Sequence, residues 1–125
     1  MAERFFSMPV YSGEIWVSDL SGLRSDGNAA RKMIAELEAH IRKPANSFRV
    51  ALDVFDTNLT GDLARMMVNG LVSMQKNIKK LAIKGASRMG KFHLRRCLKR
   101  ANAEIPIRFF DDYEELKKWL TSETY

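Results

Sequence analysis

Residues 85–91, Gly85-Ala86-Ser87-Arg88-Met89-Gly90-Lys91, spell G-x-x-x-x-G-K between an apolar run and a basic helical pattern. A loop of that kind turns backbone N–H groups toward a phosphate and brings a lysine to its charge. Position 92 is Phe, where magnesium coordination needs a Ser or Thr hydroxyl, and no later apolar strand ends in a magnesium-binding Asp. Three readings follow. The simplest is a strand-to-helix turn that happens to be basic. Next is an anion site using Ser87, Arg88, Lys91 and the helix N-terminus. Last is a nucleotide- or phosphate-binding enzyme using the 85–91 loop. Asp56, Thr57 and Thr60 sit where another helix starts after an apolar strand. Capping of orphan amides accounts for all three. The functional alternative makes Thr57 a phosphoacceptor, its phosphate favoured by the helix dipole but close to Asp56 and Asp62.

The remaining reactive side chains point to less. Asp19 and Asp26 are expected to shape turns rather than to pair as acid and base. His40 and His93 lack H-x-x-x-H spacing, so no metal site is expected. Cys97, the single cysteine, falls with Leu94, Leu98 and Ala101 and is expected to be a buried structural thiol. No Ser/His/Asp or Cys/His constellation assembles, so no catalytic residue is assigned and no cofactor is called for.

Composition bounds the rest. The 125 residues make one domain, 1–125, and 46% hydrophobic content is enough for one core. No apolar run approaches the roughly 18 residues of a membrane span, and Met1 to Val10 lack the apolar stretch of a secretory signal. One cysteine excludes an internal disulfide framework, so a reducing, cytoplasmic setting is expected. The formal net charge of +6 is unevenly spread: residues 76–103 carry ten basic groups and no acidic one. Such a block either attracts phosphate-bearing partners or is the solvated face of a helix and a strand. Nucleic acid is disfavoured. Phe92 is the block's one aromatic besides His93, and it is expected to pack inward, leaving no exposed ring among the cations. A non-specific nucleic-acid binder using residues 76–100 is kept as an alternative.

The elements that must position these groups follow from periodicity. Phe5–Val10 and Glu14–Leu20 read as strands around a Tyr11-Ser12-Gly13 turn. Ala30, Met33, Ile34, Leu37 and Ile41 mark a helix over 28–43, capped by Asp26 or Asn28 and stopped by Pro44. Phe48–Phe55 is a buried parallel strand, and Asp56–Gly61 a turn and cap. Leu63, Met67, Leu71, Met74 and Ile78 space a second helix. Leu81–Ile83 is a short strand, and Phe92, Leu94, Cys97, Leu98 and Ala101 trace a third helix. Ile105–Phe110 is the last strand. Asp111 with Glu114 has capping-box spacing before a helix docked by Leu116, Trp119 and Leu120. Strands alternating with helices predict an α/β fold: a mixed, mainly parallel sheet of about five strands with four helices. Ligands of such folds gather outside the carboxyl ends of the strands, which here means the loops at 19–26, 56–61, 85–91 and 110–112. A sheet edge near 5–20, with Met66, Met67 and Met74 as adaptable apolar contacts, suggests a homodimer.

Two segments carry a family likeness. Lys79–Ser87 (KKLAIKGAS) resembles the penultimate strand and small-residue turn of the SpoIIAA-like (STAS-like) proteins, and Arg108–Leu120 (RFFDDYEELKKWL) resembles their last strand and terminal helix. These are small single domains related in fold to CRAL-TRIO lipid carriers. The resemblance by itself implies no activity; taken with the loop residues it points to a small non-enzymatic regulatory or binding domain. It would work through protein–protein contact or a small anionic or lipid-like ligand held by Asp56, Thr57, Thr60, Ser87, Arg88 and Lys91. Anti-sigma-factor antagonists of the family carry a phosphorylated Asp-Ser step, and Asp56-Thr57 falls at the similar place. Asn58-Leu59-Thr60-Gly61 departs from the small-residue run of those antagonists.

Overall fold

The run Phe48–Asp53 (FRVALD) carries apolar side chains on both faces of an extended chain, and only a strand covered on both sides buries them. In the computed structural model, which describes residues 4–10, 13–41 and 48–122, this run is β3, at the centre of a five-stranded sheet. The other strands are β1 (Phe5–Val10), β2 (Gly13–Asp19), β4 (Ile78–Lys84) and β5 (Ile107–Phe110). Helices α1 (Gly27–Ile41), α2 (Gly61–Ser73) and α3 (Arg88–Arg100) follow β2, β3 and β4, and α4 (Tyr113–Thr121) follows β5. The strands lie in the order β1-β2-β3-β4-β5, with β1 antiparallel to β2 and every later pair parallel. The α/β class and the mixed, mainly parallel sheet match the sequence reading.

Several boundaries move. Ile78 belongs to β4, not to the second helix: α2 ends at Ser73, a single 3₁₀ turn covers Gln75–Asn77, and Ile78 then pairs with Phe48. Asn77 fixes this turn by donating from Nδ2 to the Ile41 carbonyl at 2.7 Å. The α4 cap is Asp112 rather than Asp111, its carboxylate accepting from the Glu114 amide at 3.3 Å. For α1, Asp26 is the capping side chain and accepts from the Ala29 amide at 3.0 Å. Tyr11-Ser12 and the Pro44 stop lie outside the described residues. Met67 and Met74 are buried in the core and Met66 is half-buried against it, so they do not form the exposed methionine surface expected of them. His40, in the last turn of α1, lies among the rings of Phe5, Trp16 and Phe48.

The two faces of the sheet are covered unequally. The strands advance in one direction and βαβ crossovers share one hand, so α1, α2 and α3 fall on the same face. There Val50, Leu52, Leu81 and Ile83 meet Leu37, Met67, Leu71 and Leu94 in the larger core. Among the described residues the other face holds α4 alone, where Leu116, Trp119 and Leu120 pack on Ile15, Val17, Ala51 and Ala82. Ala51 and Ala82 are paired neighbours on β3 and β4, and their short side chains let the helix sit close to the sheet.

Lys80 secures that helix. It points to the α4 face one step from Ala82, is fully buried, and is among the largest side chains with no exposure. Its ammonium donates to the carbonyls of Trp119 and Ser122, each at 2.7 Å, and to Ser122 Oγ at 3.1 Å. It also lies 5.0 Å from the centre of the Trp119 ring. The Trp119 carbonyl belongs to the last turn of α4 and Ser122 is its C-cap, so the ammonium sits at the negative end of the helix dipole and shares the Trp119 carbonyl with the Ser122 amide and hydroxyl. A buried ammonium is costly unless its donors are used, and here three acceptors take them. Lys80→Met keeps the apolar stem and removes the donors. It is expected to lower the unfolding free energy by about 2–3 kcal/mol, read as a lower urea midpoint at unchanged slope.

Candidate functional site

Where the strands advance without reversal there is no switch point between helix layers, and so no deep crevice at their carboxyl ends. The loops meet there as a shallow rim. The chain after β2 is stitched to the chain after β3. The Gly22 amide donates to the Phe55 carbonyl at 2.8 Å, Arg24 to Asp56 at 3.0 Å, and Asn58 to Arg24 at 2.7 Å. Thr57 is the cross-bolt: its hydroxyl donates to the Leu20 carbonyl and accepts from the Leu23 amide at 3.3 Å. Arg24 and Asp56 pay for this stitching with left-handed backbones, φ 51° and 57°. Their side chains form an exposed ion pair at 3.4 Å.

The turn after β4 closes the rim. Gly85 has φ +79°, and a Cβ there would lie 2.7 Å from Phe55 Cβ and 2.9 Å from Phe55 Cα, so only glycine fits. A Cβ on Gly90 would lie 3.1 Å from Leu59 Cδ1. Both glycines of the G-x-x-x-x-G-K pattern are thus explained by close packing of the β4–α3 turn on the β3–α2 loop. The helix already begins at Arg88, so Met89, Gly90 and Lys91 are helical and leave no loop to wrap a nucleotide's phosphates. Ser87 caps α3 by accepting from the Gly90 amide at 3.0 Å. Thr60 caps α2 by accepting from Leu63 at 3.1 Å.

An open cleft of about 310 Å³ results, lined by Arg24, Ser25, Asp56, Thr57, Asn58, Gly85 and Ser87. Of the six residues singled out from sequence, Asp56, Thr57 and Ser87 meet in it. Thr60 lines a smaller hollow of about 120 Å³ beside it, with Ser25, Arg31 and Asn58. Arg88 and Lys91 diverge. Arg88 faces outward beside Phe92, and Lys91 turns toward β5 with Arg95 and Arg108. Arg24, Ser25 and Asn58 were missed by sequence reasoning. They lie in two loops without periodicity, after β2 and after β3, and only the stitching brings them together at the rim.

A second polar group was also unforeseen. Sheet register aligns Asp19, Asp53, Lys84 and Phe110 across four strands. Asp53 is buried, accepts from the Phe55 amide at 3.1 Å and from Tyr113 Oη at 2.8 Å, and pairs with Lys84 Nζ at 3.6 Å. Lys84 also lies over the Tyr113 ring at 4.9 Å. The group binds the first turn of α4 to the strand ends. Asp19 turns instead to the Ser21 amide and hydroxyl, and no bond joins it to Asp26. Among the described residues no three His, Cys, Asp or Glu side chains gather where a metal ion would sit.

Two inward placements need correction. Phe92 is 52% exposed, because Gly90 and Leu94 take the inward positions of α3 and put residue 92 on the opposite side. Cys97 is half-buried against the larger core rather than enclosed by it.

Burial, the hydrogen bond to Asp53 and the nearby charges of Asp53 and Asp19 push the Tyr113 hydroxyl well above its ordinary value of 10.0. The unfolded chain loses this proton near its ordinary value while the folded chain still holds it. The stabilisation is therefore complete below pH 10.0 and declines as pH rises above it. Tyr113→Phe is expected to cost about 1.5 kcal/mol at neutral pH and to flatten the alkaline decline. Thermal melts of both proteins from neutral to strongly alkaline pH measure this.

No family model matches the chain, and no curated protein or solved structure matches it with significance.

Proposed function

We propose that this chain is a small non-enzymatic binding domain of the STAS-like kind, which holds an anionic group at the rim of its sheet. The observation that carries the reading is the shared cleft, where three loops from separate strand ends bring Arg24, Ser25, Asn58 and Ser87 together. Guanidinium, amide and hydroxyl donors facing one open space suit a phosphate or carboxylate, whether free or displayed on a partner protein. Asp56 is the cleft's own competitor, since it occupies the Arg24 guanidinium at 3.4 Å. An incoming anion takes over that guanidinium, which sets modest affinity and exchange rather than permanent capture. Thr57 serves this reading as the bolt that shapes the cleft, its hydroxyl already used in both directions.

Titration of isotope-labelled protein with inorganic phosphate tests the proposal. Amide shifts are expected at Ser25, Asn58 and Ser87. Arg24→Ala weakens binding about tenfold. Asp56→Asn, which tolerates the left-handed backbone, strengthens it about threefold. An absence of cleft shifts, or an Asp56→Asn variant that binds more weakly, overturns the reading.

A further inference from the structure

We infer that the outward face of α3 is a docking surface for an anionic phospholipid membrane. This goes beyond the cleft, which lies at a different place on the molecule. The helix Arg88–Arg100 carries six Lys and Arg and no acid. Among the described residues none of these six makes an ion pair. The inward side of the helix needs only Gly90 and Leu94, with Cys97 and Leu98 half-buried beside them. The outward side places two large apolar side chains in water: Met89 is 62% exposed and Phe92 is 52% exposed. They stand three residues apart, so they are neighbours on the helix surface. Arg88, Arg95, Arg96 and Lys99 surround Phe92 and line a shallow depression of about 470 Å³ with it. Phe55, the third exposed large hydrophobic side chain among the described residues, stands beside Gly85 on the rim from which α3 departs.

Charge and apolar area occur here on one face of the helix, and the choice of occupant follows from satisfying both. Anionic headgroups neutralise these cations, none of them ion-paired though Arg95 lies over the Phe109 ring at 4.9 Å, while Phe92 and Met89 reach the acyl boundary just below. A nucleic acid neutralises the cations equally well, but a methionine gains little from the polar edges and phosphates it would meet. An acidic protein segment answers the charge, but its carboxylates offer nothing to Met89 and Phe92, which stand 62% and 52% exposed. The arrangement is that of an interfacial helix already folded onto its own domain, so its apolar stripe is narrow and its binding depends on charge.

Co-sedimentation of the full chain with lipid vesicles tests this. Phosphatidylcholine vesicles with about 30% phosphatidylserine are expected to retain it, and pure phosphatidylcholine vesicles to leave it in solution. Raising salt from about 0.1 M to about 1 M releases it, as screening shortens from about 10 Å to about 3 Å. The double variant Arg95→Glu, Arg96→Glu lowers partitioning at least about tenfold. Phe92→Ser, with every cation intact, lowers it about fivefold. Phe92→Trp serves as a reporter whose emission shifts to the blue on the anionic vesicles only. All these positions are exposed, and unchanged melting of each variant shows that the fold is kept. Equal retention on neutral vesicles, indifference to the double charge reversal, or an unmoved Phe92→Trp emission overturns the proposal. Binding to duplex DNA that needs the arginines but ignores Phe92→Ser, without vesicle binding, overturns it in favour of nucleic acid. The cleft meets this face at Ser87, next to Arg88, but Ser25 and Asn58 lie off α3 and report the phosphate titration separately, so either proposal can fail alone.

Discussion

A single buried ammonium holds the thin side of this molecule together. Three helices share the burden of covering one face of the sheet, and α4 covers the other by itself. A helix of nine residues is too short to be stable alone. It depends on Leu116, Trp119 and Leu120 for burial and on Lys80 for the carbonyls of Trp119 and of its C-cap, Ser122. At its opposite end Tyr113 reaches Asp53 and Lys84. Both anchors stand on the α4 face of the central strands, one on either side of the paired Ala51 and Ala82. Charged groups at the two ends and alanines between them define where the helix lies. The charges also match the dipole, an acid at the amino end and a cation at the carboxyl end.

The same chemistry divides the basic stretch of the chain into groups with different roles. Lys80 and Lys84 point to the α4 face and spend their charge internally. The cations of α3 make no ion pair among the described residues; Arg95 lies over the Phe109 ring at 4.9 Å, and Arg88, Arg96, Lys99 and Arg100 are exposed. A net charge counted along the sequence adds these together, although only the second group contributes to the field that an approaching partner meets. The rim between them is nearly balanced, with Arg24 against Asp56.

Much of the architecture was legible because burial imposes a period. The strand-helix alternation, the apolar stripes of α1, α2 and α4, and the convergence of the loops after β3 and β4 all follow from spacing. The failures share a cause, which is that side-chain environment is set by neighbours distant in sequence. Ile78 continues the four-residue step from Met74, yet the chain has already left the helix through a turn that Asn77 ties to α1. Lys80 looks like any other cation in a basic block until its register with Arg49 places it beneath α4. Phe92 is different: the spacing of Gly90, Leu94 and Ala101 puts it on the far side of α3, where an apolar side chain breaks the rule that such residues face inward. Arg24 and Asn58 carry no pattern, since their positions come from backbone bonds between two loops.

Each strand of the sheet lies beside the strand that precedes it in the chain. No strand waits for a distant segment to fill a gap, as happens in sheets whose order doubles back. Contact order is therefore low for a mostly parallel sheet, and the entropy of loop closure is met one βα unit at a time. The domain is built to grow laterally from any adjacent pair, with each added strand offering a ready edge to the next.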